Sequence, residues 1–584
     1  MPPDAPPTPA PAPPTAPKVV LRREGRPEAL ERRAAALGVH PLAVELLWAR
    51  GVEDEADVRR MLAPTLGQLR APVEMAGFPE ALELLVAAKR EGWRVGVFGD
   101  YDVDGVTTAT ILAGYLEALG VEVVVRVAHR DRGYGFGVPD AEALHQAGAR
   151  LVLCGDTGTS DIEALAWLRE HDVRSVVIDH HQVPEVAPPT DALINPHQSG
   201  CGFPFKGLCS AGVAFYLCAG LRTRLAKDGE TKLPDPRTLL DLVALATVCD
   251  MMPLTEENRV LVSAGLRHLE QRGRPGLGAL LERAGVEPTE ALDEAHLGFK
   301  LGPRINAPGR LGTAEPSLAL LRARTDSEAG PLADRVEMLN AQRKRQTESI
   351  SAEATALIQA EGANETRAGI VVAHERWAPG VVGIAANGLV ERFNRPVAVL
   401  GMGEDGLARG SVRSCDGVDV RAALAECAPL LERFGGHREA AGLTVKAERI
   451  AEFTEAFAAA VATQRAEVPA RPDEECVDLE LPLAAIEPEL CAVIRSAGPF
   501  GVGFAPPRFI ARDCEAQRIR VLKERHIALT LAQGKDRADA IGFGMAQQEP
   551  PRGSRVDVVF VPQLDVFRGV TRVKLHLQRL WLSL

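Results

Sequence analysis

Three carboxylates at every second position, Asp100, Asp102 and Asp104, sit in the segment Val95-Gly-Val-Phe-Gly-Asp-Tyr-Asp-Val-Asp-Gly-Val-Thr107. Acids this close repel one another unless a cation lies among them. Hard divalent ions such as Mg²⁺ and Mn²⁺ prefer such oxygens. An acidic surface turn would look the same in isolation. Further candidates follow: Asp156 in Gly155-Asp-Thr-Gly158, the triplet Asp179-His180-His181, and Asp250 in Thr247-Val-Cys-Asp-Met-Met-Pro-Leu254. Each has a plain alternative. Asp156 could cap a helix starting near Ser160, Asp250 could end one, and paired histidines are often structural.

The elements that would gather these residues are legible as alternation. Strand 94–98 is followed by helix 106–119, strand 122–127 by helix 140–147, strand 150–154 by helix 161–170, and strand 174–178 comes next. Near-continuous Val/Leu/Ile strands separated by helices predict a parallel sheet covered on both faces. Ligands in such sheets bind beyond the carboxyl ends of the strands. The acidic turn, Asp156 and Asp179-His180-His181 each follow a strand and so share one address. A helix over 237–248 delivers Asp250. The Gly/Pro-rich stretch Leu301–Gly312, with Arg304 and Arg310 and no acid, reads as a loop suited to anion contact. Residues 331–361 read as a long helix strutting two domains, and a second α/β unit begins at Gly369.

The totals bound the rest. The 584 residues exceed one core and suggest three or four domains. A net charge of -12 argues weakly against wholesale polyanion binding but allows a local basic groove. Ten cysteines without CxxC spacing suit reduced thiols, and no apolar run approaches the ~18 residues of a membrane span. A cytoplasmic enzyme is expected. Residues 1–18, almost all Pro and Ala, read as a disordered tail. From Pro507 onward, short alternating runs predict a small antiparallel barrel or sandwich. From Arg508 to the end, 14 Lys/Arg face 8 Asp/Glu, reversing the balance of the whole chain. A basic β-barrel suits single-stranded nucleic acid, although a merely soluble β-domain would share the pattern.

The ordered set Asp-Tyr-Asp-Val-Asp-Gly, Gly-Asp-Thr-Gly, Asp-His-His and Thr-Val-Cys-Asp-Met-Met-Pro-Leu resembles the four motifs of the DHH phosphoesterase superfamily. Trp377-Ala-Pro-Gly-Val-Val-Gly-Ile384 and Gly435-Gly-His-Arg-Glu-Ala-Ala-Gly442 are similar to its companion DHHA1 domain. The Leu301–Gly312 stretch, the long helix and the terminal β-domain resemble its bacterial branch of single-strand-specific 5′-to-3′ DNA exonucleases. One local departure is Ala128 in Val127-Ala-His-Arg130, where many members carry proline.

That resemblance implies an α/β fold: a DHH-type parallel-sheet domain joined by a long helix to a smaller α/β DHHA1 domain, plus a C-terminal OB-like β-barrel. The divisions expected are a tail 1–18, a helical segment 19–78, the DHH domain 79–325, the connecting helix 326–362, DHHA1 363–465 and the barrel 466–584. It implies two divalent ions, Mn²⁺ or Mg²⁺, bridged by Asp156. Asp102 with Asp100 would hold one, and Asp104, His180 and Asp250 the other. Asp179 would orient His180 through its second ring nitrogen, leaving His181 to donate to the scissile phosphate. Arg130, Arg304, Asn306, Arg310, Ser411, Arg413 and His437 are the candidates for the 5′-phosphate and DNA. The implied activity is hydrolysis of single-stranded DNA from its 5′ end to 5′-mononucleotides by a monomer. A single-strand-binding protein and a RecQ-like helicase are the implied partners. The alternatives are a DHH phosphodiesterase of short oligonucleotides or cyclic dinucleotides, whose members carry His where this chain has Phe98, and a catalytically dead single-strand-binding scaffold.

Overall fold

The computed structural model describes residues 17–130, 135–467, 473–567 and 570–583. Most of the Pro/Ala tail lies outside them. They form two compact units. One runs from Arg70 to Met252 and from Glu256 through the helix Ile450–Glu467; the other joins the residues up to Leu69 to Pro253–Thr255 and the C-terminal part.

The first unit is built on a parallel sheet of β1 (Val95–Gly99), β2 (Val123–Val127), β3 (Leu151–Gly155), β4 (Arg174–Ile178) and β5 (Ala192–Ile194), in the order β2-β1-β3-β4-β5. The chain leaves β1 for one neighbour and returns to its other side as β3. That reversal opens a crevice at the carboxyl ends of β1 and β3, where open α/β sheets bind ligands. Every residue of β1 and β3 is buried, which is why both read as unbroken apolar runs. Phe98, Phe136, Leu144, Val152, Leu165 and Val177 pack together in one core cluster.

Helix α1 (Val103–Ala118) starts three residues earlier than its apolar pattern suggests. Asp102 is its N-cap and accepts the Gly105 N–H, so Asp104 lies in the first helical turn rather than in the loop before it. Nearly all of α1 is buried, since α2 (Ser210–Lys227) and α3 (Leu240–Cys249) pack against it. Gly105 is required there: a Cβ would lie 2.4 Å from the Asp100 nitrogen.

The stretch expected to be a loop at 301–312 is helical. A π-helix, His296–Leu301, runs directly into α4 (Gly302–Leu311). Pro303 sits at its start, where a missing N–H leaves no partner wanting. Helix α5 (Asp326–Ala360) is continuous over 35 residues and packs on both α4 and α6 (Pro379–Phe393). The second sheet holds β6 (Ile370–His374), β7 (Val397–Met402), β8 (Leu407–Arg413), β9 (Leu431–Gly436) and β10 (Ala440–Lys446), ordered β9-β10-β8-β7-β6.

In the other unit, strands Phe509–Leu522, His526–Gln533, Asp536–Gly542, Arg555–Phe567 and Val570–Leu582 close into a five-stranded barrel. The N-terminal strand Lys18–Leu21 pairs in parallel with Glu474–Val477.

Candidate metal centre

The sheet register places three acids in a row. Gly99 pairs with Gly155 and Gly155 with Ile178, so Asp100, Asp156 and Asp179 each follow a strand at the same level. Asp156 takes a left-handed backbone, φ 62°, which is strained for a side chain other than glycine. Two triads result, Asp100/Asp102/Asp156 and Asp104/His180/Asp250, with the ligand atoms of each within 4.8 Å of one another. His180 Nε2 lies 3.3 Å from Asp156 Oδ1, 3.3 Å from Asp250 Oδ2 and 3.9 Å from Asp104 Oδ2, tying the triads together.

The arrangement is electrostatically incomplete. Among the described residues, both Asp100 oxygens and Asp250 Oδ2 are buried without a hydrogen-bond partner. Burial and the neighbouring carboxylates push Asp100 and Asp156 well above the usual carboxylate range, raise Asp104, and take Asp250 up to about 9. Burial holds the His180 imidazole neutral. Acids that would otherwise have to protonate, oxygens without donors and a neutral imidazole facing them form a donor set that fits divalent cations. The mixture of several oxygens with one nitrogen suits Mn²⁺ or Mg²⁺.

The supports are specific. Asp104 accepts the Ser210 and Ala211 N–H groups at 2.7 and 2.9 Å, and the Ser210 hydroxyl donates to Asp156 at 3.1 Å. These donors form the start of α2, where an anion is favoured. Ser210 escaped the sequence reading; a serine opening an apolar helix was its only mark. Asp179 corrects the expected pairing. Its Oδ1 accepts from the His181 ring at Nδ1, 2.7 Å away, while His180 gives it only a backbone N–H. Asp179 therefore orients His181, not His180. Burial pulls His181 down, but Asp179 and the surrounding acids outweigh it and lift it to about 9. The same pair holds Asp179 low against its own burial. Asn195 fixes the turn by donating to the His181 carbonyl at 2.8 Å.

A second, cationic group surrounds the first turns of α6. A Cβ on Gly380 would meet the Arg310 carbonyl at 2.0 Å and Arg130 Cδ at 3.3 Å; one on Gly383 would meet Arg413 Nη2 at 2.8 Å and Ser411 Oγ at 3.1 Å. Arg130, Arg310, Ser411 and Arg413 thus gather on one helix start. Arg130 lies over the Tyr101 ring, 4.2 Å from its centroid, and donates to the Gly309 carbonyl. Burial together with Arg130 pushes Arg310 down to about 10, and burial lowers Arg413. The remaining candidates are placed differently. Arg304 is ion-paired with Glu337 at 2.5 Å. Asn306 accepts the Val103 N–H and so braces α1. His437 stays exposed, its Nδ1 accepting the Glu439 N–H.

Comparison with known proteins follows this anatomy. Residues 94–247 match the DHH family, N-terminal domain, 367–463 the DHHA1 domain, and 477–579 the RecJ OB domain. The chain is 34% identical to the single-stranded-DNA-specific exonuclease RecJ of Salmonella typhimurium, over 96% of this chain and 99% of that protein. It is 33% identical to the Bacillus subtilis protein of that name over 90% of this chain, spanning 66% of that longer protein. The fold is similar to RecJ of Thermus thermophilus in complex with Mn²⁺ (TM-score 0.80, 29% identity, covering 96% of this chain and 79% of that one). It is also similar to the Mg²⁺ complex (0.72, 28%, covering 97% and 78%).

Proposed function

The chain belongs to the RecJ family of single-stranded-DNA-specific exonucleases, and from that membership we propose how its residues remove nucleotides from the 5′ end of single-stranded DNA. One observation carries the reading: a single compact unit holds an uncompensated acidic cluster and an uncompensated cationic cluster, which suit two cations and a phosphate respectively. Asp100, Asp102 and Asp156 would hold one divalent ion, Mn²⁺ or Mg²⁺, and Asp104, His180 and Asp250, beside Asp156, a second. Bound there, such ions would make water a nucleophile at neutral pH and offset charge on the phosphorus oxygens. His181, aligned by Asp179 and helped by it to keep its proton, donates to a non-bridging oxygen or to the leaving 3′ oxygen. Arg130, Arg310, Ser411 and Arg413 hold the terminal 5′-phosphate, since guanidinium forks and a hydroxyl match its oxygens. That anchor sets the direction of attack.

The other unit supplies the barrel, a fold that suits binding of a single strand. Ten free cysteines fit a reducing, cytoplasmic compartment, and no helix among the described residues is long and apolar enough to cross a membrane. A monomer working with a single-strand-binding protein and a RecQ-like helicase completes the reading.

The test uses Mn²⁺ and a single strand carrying a 5′-phosphate. Wild type should release 5′-mononucleotides from that end, spare circular single strands and duplexes, and stop in EDTA; Asp156→Ala should be inert. Equal activity of both proteins, or attack from the 3′ end, overturns the assignment. Cleavage confined to very short strands would transfer the site to an oligonucleotide phosphodiesterase.

A further inference from the structure

The long helix α5 carries polar groups that neither cluster uses. Asn340 and Arg343, and Arg343 and Gln346, are three positions apart and so neighbours on the helix surface. They lie between the part of α5 that packs on α4, marked by the Glu337–Arg304 ion pair, and the part that packs on α6, marked by Ile350 and Ala354 in a shared core with Val381 and Val382. Asn340 is fully buried. Its Oδ1 accepts from Arg343 Nη2 at 2.6 Å, while its own Nδ2 has no partner among the described residues. Arg343 Nε and Gln346 Oε1 are likewise buried and unpartnered. Among the described residues no carboxylate pairs with Arg343; burial lowers it, and so does the like charge of Arg304.

A pair that served only to pack this helix would leave its spare donors in water or satisfied by neighbours. Here the helix shuts off a guanidinium N–H, an amide NH₂ and a second amide, each destabilising while unmatched. The second amide, turned over, presents donors as well. Every unmatched group can then donate, one of them is cationic, and the neighbouring Arg310 is cationic too, while Arg304 is already matched by Glu337. An anion with several oxygens fits that pattern.

We propose that Asn340, Arg343 and Gln346 form a binding position for an internal phosphodiester of the DNA strand, distinct from the scissile group and from the terminal phosphate. It rests on the nuclease reading above and adds a contact made by the connecting helix itself. A terminal 5′-phosphate could supply the same oxygens, so the test compares two 5′-phosphorylated substrates: a strand of about twenty nucleotides, and a dinucleotide whose only diester is the one cut. Arg343→Gln should raise KM for the long strand roughly 10-fold with kcat held. It should flatten the salt dependence of log KM by about 0.7 and leave the dinucleotide unchanged. Gln346→Glu supplies an internal carboxylate three residues from Arg343. It should raise KM for the long strand in the same way while thermal stability holds or rises, which a purely structural role would not produce. Equal losses on both substrates assign Arg343 to the terminal phosphate or to folding and overturn the proposal. Unchanged long-strand kinetics in both variants overturn it as well. An inactive wild type would instead refute the nuclease reading and is distinguishable at once.

Discussion

Two buried carboxylates, one in each unit, show how differently the same side chain is used. Asp478 is almost fully buried and fully answered: Arg22 Nε donates to it at 2.9 Å, Arg50 at 2.9 and 3.1 Å through two nitrogens, and the Arg508 N–H at 2.9 Å. Asp156 is as deeply buried, yet its described partners are one serine hydroxyl, the neutral His180 imidazole and, at 3.9 Å, the His181 ring that Asp179 already engages, with four other acids around it. Burying a charge is expensive unless it is paired. Asp478 meets that condition from within the chain and is a staple between N-terminal and C-terminal segments. Asp156 does not, and the deficit marks where an external cation belongs. Burial alone does not separate a structural acid from a functional one; the balance of its partners does.

The largest effect expected from this contrast is on Asp156. Asp156→Asn should lower kcat/KM by at least ~1,000-fold and yet leave the metal-free protein as stable as before or more so, because it removes a repelled charge. Circular dichroism melts in EDTA beside Mn²⁺-dependent assays read both. A metal-free protein that loses stability with this substitution would make Asp156 a second Asp478. The mirror experiment is Asp478→Asn, which leaves the Arg22 and Arg50 guanidinium groups facing a neutral amide. It should destabilise by about 3 kcal/mol, measured by urea unfolding, with cleavage of the dinucleotide unaffected.

Asp179 stands between the extremes, since it is internally paired but its partner faces the site. Asp179→Asn should lower kcat roughly 10–100-fold. It should also shift the alkaline limb of the pH–rate profile to lower pH, because His181 loses the bond that helps hold its proton. A tenfold loss with an unmoved limb would assign Asp179 to backbone support through the His180 and His181 N–H groups alone.

Much of this contrast was legible in the amino-acid order. The strand–helix alternation placed Asp100, Asp156 and Asp179 at one sheet edge because each follows a strand that is buried over its last four residues. The misreading of 301–312 as a loop has a physical source. Gly302, Pro303, Pro308 and Gly309 are breakers in isolation, but here glycine serves close packing: a Cβ on Gly309 would lie 2.5 Å from the Tyr101 carbonyl. Arg343 was hidden by its neighbours, since Arg-Lys-Arg reads as a solvated run and only the fold shows which of the three is covered. Asp478 and its arginines were invisible for another reason. The contact between Arg22 and Asp478 spans 456 positions, and no local pattern carries it.

The smallest predicted effect follows from titration and sharpens the comparison without mutating the site. In the metal-free protein Asp100, Asp104, Asp156 and Asp250 hold protons more tightly folded than unfolded, where carboxylates titrate near ~3.9. Between that value and the folded one, about 9 for Asp250, the folded state carries the extra proton and stability falls as pH rises. His181 adds the same sign: its contribution is complete below about 6.5 and is lost as pH climbs through about 9. His180, lowered by burial, acts oppositely, but its contribution is complete once pH exceeds the ordinary imidazole value of about 6.5. Asp179, held low, loses its contribution only in acid. From pH 7 to 9 the metal-free melting temperature should therefore decline, by about 2–4 °C for each kcal/mol lost. Saturating Mn²⁺ replaces the carboxyl protons and should reduce the slope to the part that His181 contributes. Asp478→Asn should give a curve parallel to wild type, offset downward, because that acid is already matched by arginines, whereas Asp156→Asn should flatten it. A metal-free curve already flat in wild type would mean that the acidic cluster is neutralised from within, and the distinction between the two carboxylates would collapse.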